Sequence, residues 1–311
     1  LTQSAGSGTT TLNSGTFTGP TTEALATSGA GGVDLAADTV VVNHAVNTTG
    51  SGGVSLEADA GGAGAGTLTL AAAGDIDSDG TVGLTGANGI TTAGDVTTTG
   101  DTVTYNSAVS LSGGIAIDTT SGGGSAGGVS FGSTVDGTET LTITAGTGAS
   151  ADVSFSGLVG DTNALGVVQI NNANDVTTNG FRSASLTQSA GSGTTTLNSG
   201  TFTDTTAEAL ATSGNTTIHT DGLLTIAEDL TAGGTAALYS GDITISAGTT
   251  SGDILRLYTE AGSTAMNVGT SGAGAWELDD TEVGRLSATS SWEIGESGSQ
   301  SGTITVQTVS L

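Results

Sequence analysis

The sequence predicts an all-β protein built as a parallel β-helix, a β-solenoid with short lateral loops. Three observations carry this. A long internal repeat runs through the chain, short apolar–small–apolar triplets recur along it, and the composition suits a thin core rather than a thick one.

The repeat comes first. The stretch 1–18, LTQSAGSGTTTLNSGTFT, returns unchanged at 186–203, and TEALATSG at 22–29 returns as AEALATSG at 207–214, so one long period carries Leu1 onto Leu186. Near identity at that distance marks duplication in a modular array. Shorter echoes lie inside the unit. Val33-Asp34-Leu35 is echoed by Val54-Ser55-Leu56, and Val129-Ser130-Phe131 by Val153-Ser154-Phe155. Leu68-Thr69-Leu70, Val82-Gly83-Leu84, Ile115-Ala116-Ile117, Leu141-Thr142-Ile143 and Ile243-Thr244-Ile245 have the same form. Alternation of that kind turns one face inward and the other outward.

Between the triplets stand Gly, Ser, Asn and Asp clusters, which signal turns. A sandwich would place strands roughly 8–12 residues apart. One solenoid coil takes about 20–25 residues, with the intervening triplets as its second and third faces. Stacking such coils is additive, which favours the solenoid over a sandwich array.

Composition agrees. The 311 residues hold 54 glycines and one proline, Pro20, and only 35% are hydrophobic, 3% aromatic. Val, Ile, Leu and Ala fill a core one or two side chains across. Disorder is disfavoured because proline is almost absent and β-branched residues fall in alternating runs. Outward threonine, as in Thr9-Thr10-Thr11 and Thr97-Thr98-Thr99, suits a pleated surface.

Charge excludes several partners. Thirty acids face three basic residues, Arg182, Arg256 and Arg285, for a net charge of -27. Such a surface repels nucleic acid and anionic lipid and attracts divalent cations. No run approaches the roughly 20 apolar residues of a membrane helix, so membrane insertion is not expected. Leu1 falls inside a repeat, and a secretion signal is expected to lie outside the sequence.

Two segments are expected: residues 1–275 as a solenoid built on the 185-residue repeat, and residues 276–311 as decorated C-terminal coils. The second begins WELDDTEVGRLSATSSWEIG and holds both tryptophans, Trp276 and Trp292. Asp279 or Asp280 would cap a short helical turn reaching Leu286, with Glu282 and Arg285 on one side.

SLTQSAGSGTTTLNSG at 185–200, DVTTTGDTVTYNSAVSLSG at 95–113 and GGVSFGSTVDGTETLTITAGTG at 127–148 resemble giant β-strand-repeat surface proteins of the filamentous haemagglutinin-like adhesin class. LDDTEVGRL at 278–286, followed by WEIG and SGTITV, is similar to a recurring phrase of that class. The resemblance implies a right-handed parallel β-helix, export by a two-partner or similar route, and an extracellular place at the cell surface.

Candidate sites are few. Asp75-Ile76-Asp77-Ser78-Asp79-Gly80 forms the first half of a calcium loop, in which alternate oxygens converge as the chain curls. The distal glutamate is missing, since the twelfth position is Gly86, and an acidic turn where a coil changes face is the plainer reading. Calcium is the one cofactor the chain would take there, and the rod requires none. His44 and His219 are single, outward residues rather than a ligand set.

Trp276 and Trp292 would form a contact patch if they met at the surface, or pack under a loop. Tyr105, Tyr239 and Tyr258 look dispersed. A lyase would want cations that the chain lacks, and carboxylates alone do not make a glycosidase. An enzyme is therefore not expected.

The function expected is a structural or adhesive rod segment of a large exported surface protein or filament. Two other readings stay open, a calcium-assisted self-assembling filament subunit and a glycan-binding or glycan-degrading solenoid. Partners follow from the same reasoning: the chain itself by end-to-end coil stacking, neighbouring repeats of one long chain, and surface glycans.

Overall fold

A computed structural model describes residues 1–4, 6–16, 22–59, 64–121, 127–269 and 275–307. The described chain is all-β apart from one short helical turn, and most strand pairs are parallel. It divides into two compact units, Leu1–Gly157 and Leu158–Leu311.

In the first unit the chain visits three parallel ladders in a fixed order. The first joins Thr2–Gln3, Val33–Ala37, Val54–Ala58, Val82–Gly86, Val103–Tyr105, Val129–Phe131 and Val153–Phe155. The second joins Thr9–Leu12, Thr39–Val42, Leu68–Leu70, Ile90–Thr92, Val109–Leu111 and Val135–Asp136. The third joins Leu25–Ser28, Val46–Thr49, Ile76–Ser78, Val96–Thr98, Ile115–Asp118 and Leu141–Thr144. Both short echoes seen in the sequence are true registers: Val33 faces Val54, and Val129 faces Val153. The intervening triplets supply the other two ladders.

Alternation drives the packing. Val33, Leu35, Val40, Val42 and Val46 are buried while Asp34 is exposed. Each inward Val or Leu contributes about 1.5–3 kcal/mol by leaving water. One inward column grows from Leu56 and Leu84 into Tyr105, Phe131 and Phe155. Its rings stack with centroids 4.8 and 5.0 Å apart.

The corner after the third ladder is polar, and threonine turns inward there. Thr48, Ser78, Thr98 and Thr119 are buried. Thr98 donates to the carbonyl of Asp101 at 2.6 Å, Thr119 to Gly127 at 2.6 Å, and Ser78 to Gly52 at 3.2 Å. A buried carbonyl at a corner needs a donor, and a short β-branched hydroxyl supplies one without leaving the strand. The threonine run 97–99 is thus not wholly outward, because its middle residue holds a turn. Glycine serves the same corners: at Gly32, with φ +55°, a Cβ would lie 2.1 Å from the carbonyl oxygen of Gly53.

The second unit uses longer strands. Leu165–Asn172 pairs with Arg182–Gln188, and Val176–Asn179 with Thr195–Asn198. Both partners pass on to Thr216–Ile226. That strand continues in parallel through Thr235–Ile245, Thr250–Thr259 and Leu286–Ile294. Each repeat copy carries one antiparallel hairpin, Gly15–Thr16 with Thr22–Glu23 and Gly200–Thr201 with Ala207–Glu208. Residues 17–21, including Pro20, lie outside the described residues, as do Ala5 and residues 308–311.

Asp279 caps the helical turn Asp280–Val283 in a reciprocal capping box with Glu282. Glu282 and Arg285 turn to a strand rather than to each other. The Ile245 N–H donates to Glu282 Oε1 at 2.9 Å, and Arg285 Nη1 donates to the Ile245 carbonyl. Together they cover both polar groups of Ile245, where an open strand edge would otherwise invite pairing.

Candidate functional site

Coil length decides which outward side chains meet. His219 faces Tyr239 on the next coil, and Tyr239 faces Tyr258 on the coil after that. Ile218, Leu238 and Leu257 beside them point into the core, so the three rings lie on the other side of the ladder, His219 and Tyr239 part-exposed and Tyr258 covered. His219 and Tyr239 stack with centroids 4.0 Å apart and planes 11° apart, and Tyr239 and Tyr258 lie at 4.7 Å with a 51° tilt. Such pairs contribute about 0.5–1.5 kcal/mol beyond area burial.

Carboxylates surround the rings. His219 Nδ1 lies 3.1 Å from Glu260 Oε2. A carboxylate oxygen accepts, so the Nδ1–H of His219 is the donor in this contact. Burial, then a hydrogen bond to Glu293, pushes the Tyr258 phenol well above its usual range. Burial, with Glu296 nearby, pushes Tyr239 up as well. Arg256 pairs with Glu293 at 3.1 Å, but both are substantially exposed and the pair adds little stability.

His219, Tyr239 and Glu260 help wall an open pocket of about 340 Å³, whose lining also includes Thr259, Glu296, Ser299 and Gln300. Its rim is held in place. Thr259 Oγ1 donates to Gln300 Oε1 at 3.0 Å, Gln300 Nε2 donates to the Thr264 carbonyl at 2.7 Å, and the Ser301 N–H donates to Gly262 at 2.7 Å. Acceptors therefore outnumber donors around a fixed aromatic wall. That chemistry suits a ligand rich in hydroxyl or ammonium groups and opposes an anion.

The residues singled out in the sequence lie elsewhere. Ile76–Ser78 is an extended strand with Ile76 and Ser78 inward, which leaves Asp75, Asp77 and Asp79 strung along its outer side. Asp75 Oδ1 accepts the Asp95 N–H at 2.9 Å. Asp79 accepts the Ser51 N–H at 2.9 Å and the Thr99 hydroxyl at 2.8 Å, bonds that hold its carboxyl below the ordinary range. Among the described residues no group of three or more His, Cys, Asp or Glu is placed to hold a metal.

Trp276 is fully buried, and its Nε1–H donates to Ser240 Oγ at 3.3 Å. It adds no surface to a contact patch. Trp292 is 39% exposed on Leu286–Ile294, opposite Leu255. Sequence reasoning missed the His219–Tyr239–Tyr258 stack because it treated the tyrosines as dispersed. Their spacing matches the coil length that also separates Leu210, Leu230 and Thr250, and that was the available signal. Comparison with protein-family models, curated proteins and solved structures returns no match.

Proposed function

We propose that the ladders wind as a right-handed parallel β-helix, and that the chain is a structural and adhesive rod segment of a large exported surface protein or extracellular filament. One observation carries this reading. The stretch 1–29 returns at 186–214, 185 residues on, and its strands return with it, Thr9–Leu12 as Thr195–Asn198 and Leu25–Ser28 as Leu210–Thr212, which fits a chain that adds length by adding copies. Parallel crossovers in one sheet are overwhelmingly right-handed, which supports the hand. Repeating coils that hydrogen-bond only their neighbours fit a load-bearing element.

The test is length. Chains of one, two and four copies of the long repeat are imaged by negative-stain electron microscopy. About eight coils per repeat at ~4.8 Å each give rods that lengthen by roughly 40 Å per repeat at constant width. Particles that widen as they grow refute the reading. Antibody labelling of intact producing cells tests the surface location.

A second reading, glycan binding, is favoured by the His219–Tyr239 pocket. Its acceptors match the hydroxyls of neutral sugars and the ammonium of amino sugars. Titration with a neutral and an amino-sugar oligosaccharide, followed by NMR of the His219 ring, tests it. Saturable shifts that Tyr239→Ala abolishes support this reading, and shifts indifferent to that change refute it.

A further inference from the structure

The two copies of the repeated segment are identical over 1–18 and 186–203 and share an internal side-chain pair. Gln3 Nε2 donates to Thr10 Oγ1 at 2.9 Å, and Gln188 Nε2 donates to Thr195 Oγ1 at 2.9 Å. Both pair on one side with the strands that follow them, Thr10 with Val40 and Thr195 with Leu224. They differ in what lies on the other side.

In the second copy that side is covered by the preceding coil. Val168 faces Leu186, Ile170 faces Gln188, and Thr178 faces Leu197. The Ser189 N–H donates to Ile170 at 2.9 Å, Ala211 to Phe181 at 2.7 Å and Ser213 to Ser183 at 3.1 Å. Leu186 is 3% exposed, and Leu197, Leu210 and Gln188 are buried. Their counterparts in the first copy are open. Leu1 is 57% exposed, and Leu12, Leu25 and Gln3 are only half-buried.

We infer that the edge formed by Thr2–Gln3, Thr9–Leu12 and Leu25–Ser28 is a docking surface for one occupant, a coil with the sequence character of residues 158–185, supplied by a preceding copy of the long repeat in the same polypeptide. The second copy shows what covers this surface and in what register. The occupant's strands pair as Leu165–Asn172 and Val176–Asn179 do.

Its arginine, in the place of Arg182, reaches the hairpin. In the second copy Arg182 Nε donates to Glu208 at 2.9 Å, and its guanidinium lies 3.8 Å over the Phe202 ring. Glu23 and Phe17 occupy the matching sequence positions in the first copy. Apolar side chains and a row of backbone donors select a β-coil of matched register over an unrelated strand. The inference rests on the reading of the chain as an array of repeats.

The experiment places a second copy of residues 158–185 directly ahead of Leu1, which recreates the junction between residues 185 and 186. A scrambled segment of the same composition serves as control. Amide hydrogen exchange is read at Ser4, Ala26 and Ser28, the counterparts of Ser189, Ala211 and Ser213. The native segment is expected to slow exchange there by about tenfold or more, and the scrambled one to leave it unchanged. Arg182→Glu within the added segment is expected to weaken protection at Thr22 and Glu23.

Equal protection from both segments, or none from either, overturns the inference. So does protection that rises with protein concentration, because the occupant is then a second molecule. Rods that lengthen with repeat number while Ala26 and Ser28 stay unprotected would sink this docking and leave the rod reading intact.

Discussion

Tyr105→Phe is expected to stabilise the protein. Tyr105 is fully buried in the inward column, stacked on Phe131 at 4.8 Å with planes 14° apart. Its hydroxyl has no hydrogen-bond partner among the described residues. An unpaired buried hydroxyl costs about 1–3 kcal/mol relative to water. Phenylalanine removes that cost and keeps the ring, the stack and the contact with Leu84. Against this stand the few dispersion contacts of one oxygen, a few tenths of a kcal/mol. The net expectation is about 1 kcal/mol of added stability.

The assay is denaturant unfolding followed by circular dichroism, with native-state exchange at Val129 and Phe131 as a local readout. Long ladders need not unfold in one step, so the local opening energy is the sharper quantity. A loss of about 1 kcal/mol or more refutes the reasoning and means that the hydroxyl is satisfied.

Alkaline pH gives an independent check on the same residue. Burial pushes the Tyr105 phenol far above its ordinary value. Above about pH 10 the unfolded chain ionises this tyrosine while the folded chain keeps it protonated, so stability falls as pH rises. Tyr105→Phe removes that part of the alkaline slope. Identical slopes in the two proteins would contradict the burial argument.

Other perturbations follow from the same structure. Phe131→Ala removes a ring stacked on both faces and is expected to cost about 3–5 kcal/mol by chemical denaturation. A cost under about 1 kcal/mol would mean that the column is loosely packed. Glu282→Ala breaks the capping box and uncovers the Ile245 N–H, so exchange at Ile245 should speed up and local stability fall by about 1–3 kcal/mol. Unchanged exchange there refutes the edge-covering role. Asp161 accepts both the N–H and the hydroxyl of Thr203, bonds that hold its carboxyl below the ordinary range. The stability it confers is present above the unfolded pKa of about 3.9 and is lost as pH falls through the folded value. Asp161→Asn should abolish the acid dependence of exchange at Thr203, and an unaltered pH profile would refute the assignment.

Much of this fold was legible in the sequence, because parallel ladders write their registers as spacings. Val33 to Val54 and Val129 to Val153 are both an echo in the sequence and a pair in the ladder. Asp279 was readable as a cap because its box partner, Glu282, stands at the third helical position. What stayed hidden depends on coil length, which drifts: Val54 pairs with Val82 across a long coil, and Val82 with Val103 across a shorter one. An outward residue's neighbour is then known only once the coil is known, and so the aromatic stack at His219 was missed. The inward threonines stayed hidden for another reason. Thr97 and Thr98 are alike as residues, and Thr98 differs in following the inward Val96 by two places and in bonding the corner carbonyl of Asp101.

The acidic excess has a structural use that bears on function. Asp75 accepts the N–H of Asp95, Asp95 that of Ala116, Asp175 that of Thr194, and Asp229 that of Thr249. Each carboxylate clips the backbone of the coil about one turn on, at a place where the ladder has stopped and the amide would otherwise lack a protein partner. A lysine cannot do this, because an ammonium only donates. Asparagine can, and Asn215 does so for Thr235. Parallel ladders joined by many corners thus recruit short acceptors, and aspartate supplies them together with a charge of one sign. On this view the aspartates at 75 and 79 are occupied by their own fold. The place to look for a ligand is where acids stand beside rings, at Glu260 and Glu296, rather than where acids are merely frequent.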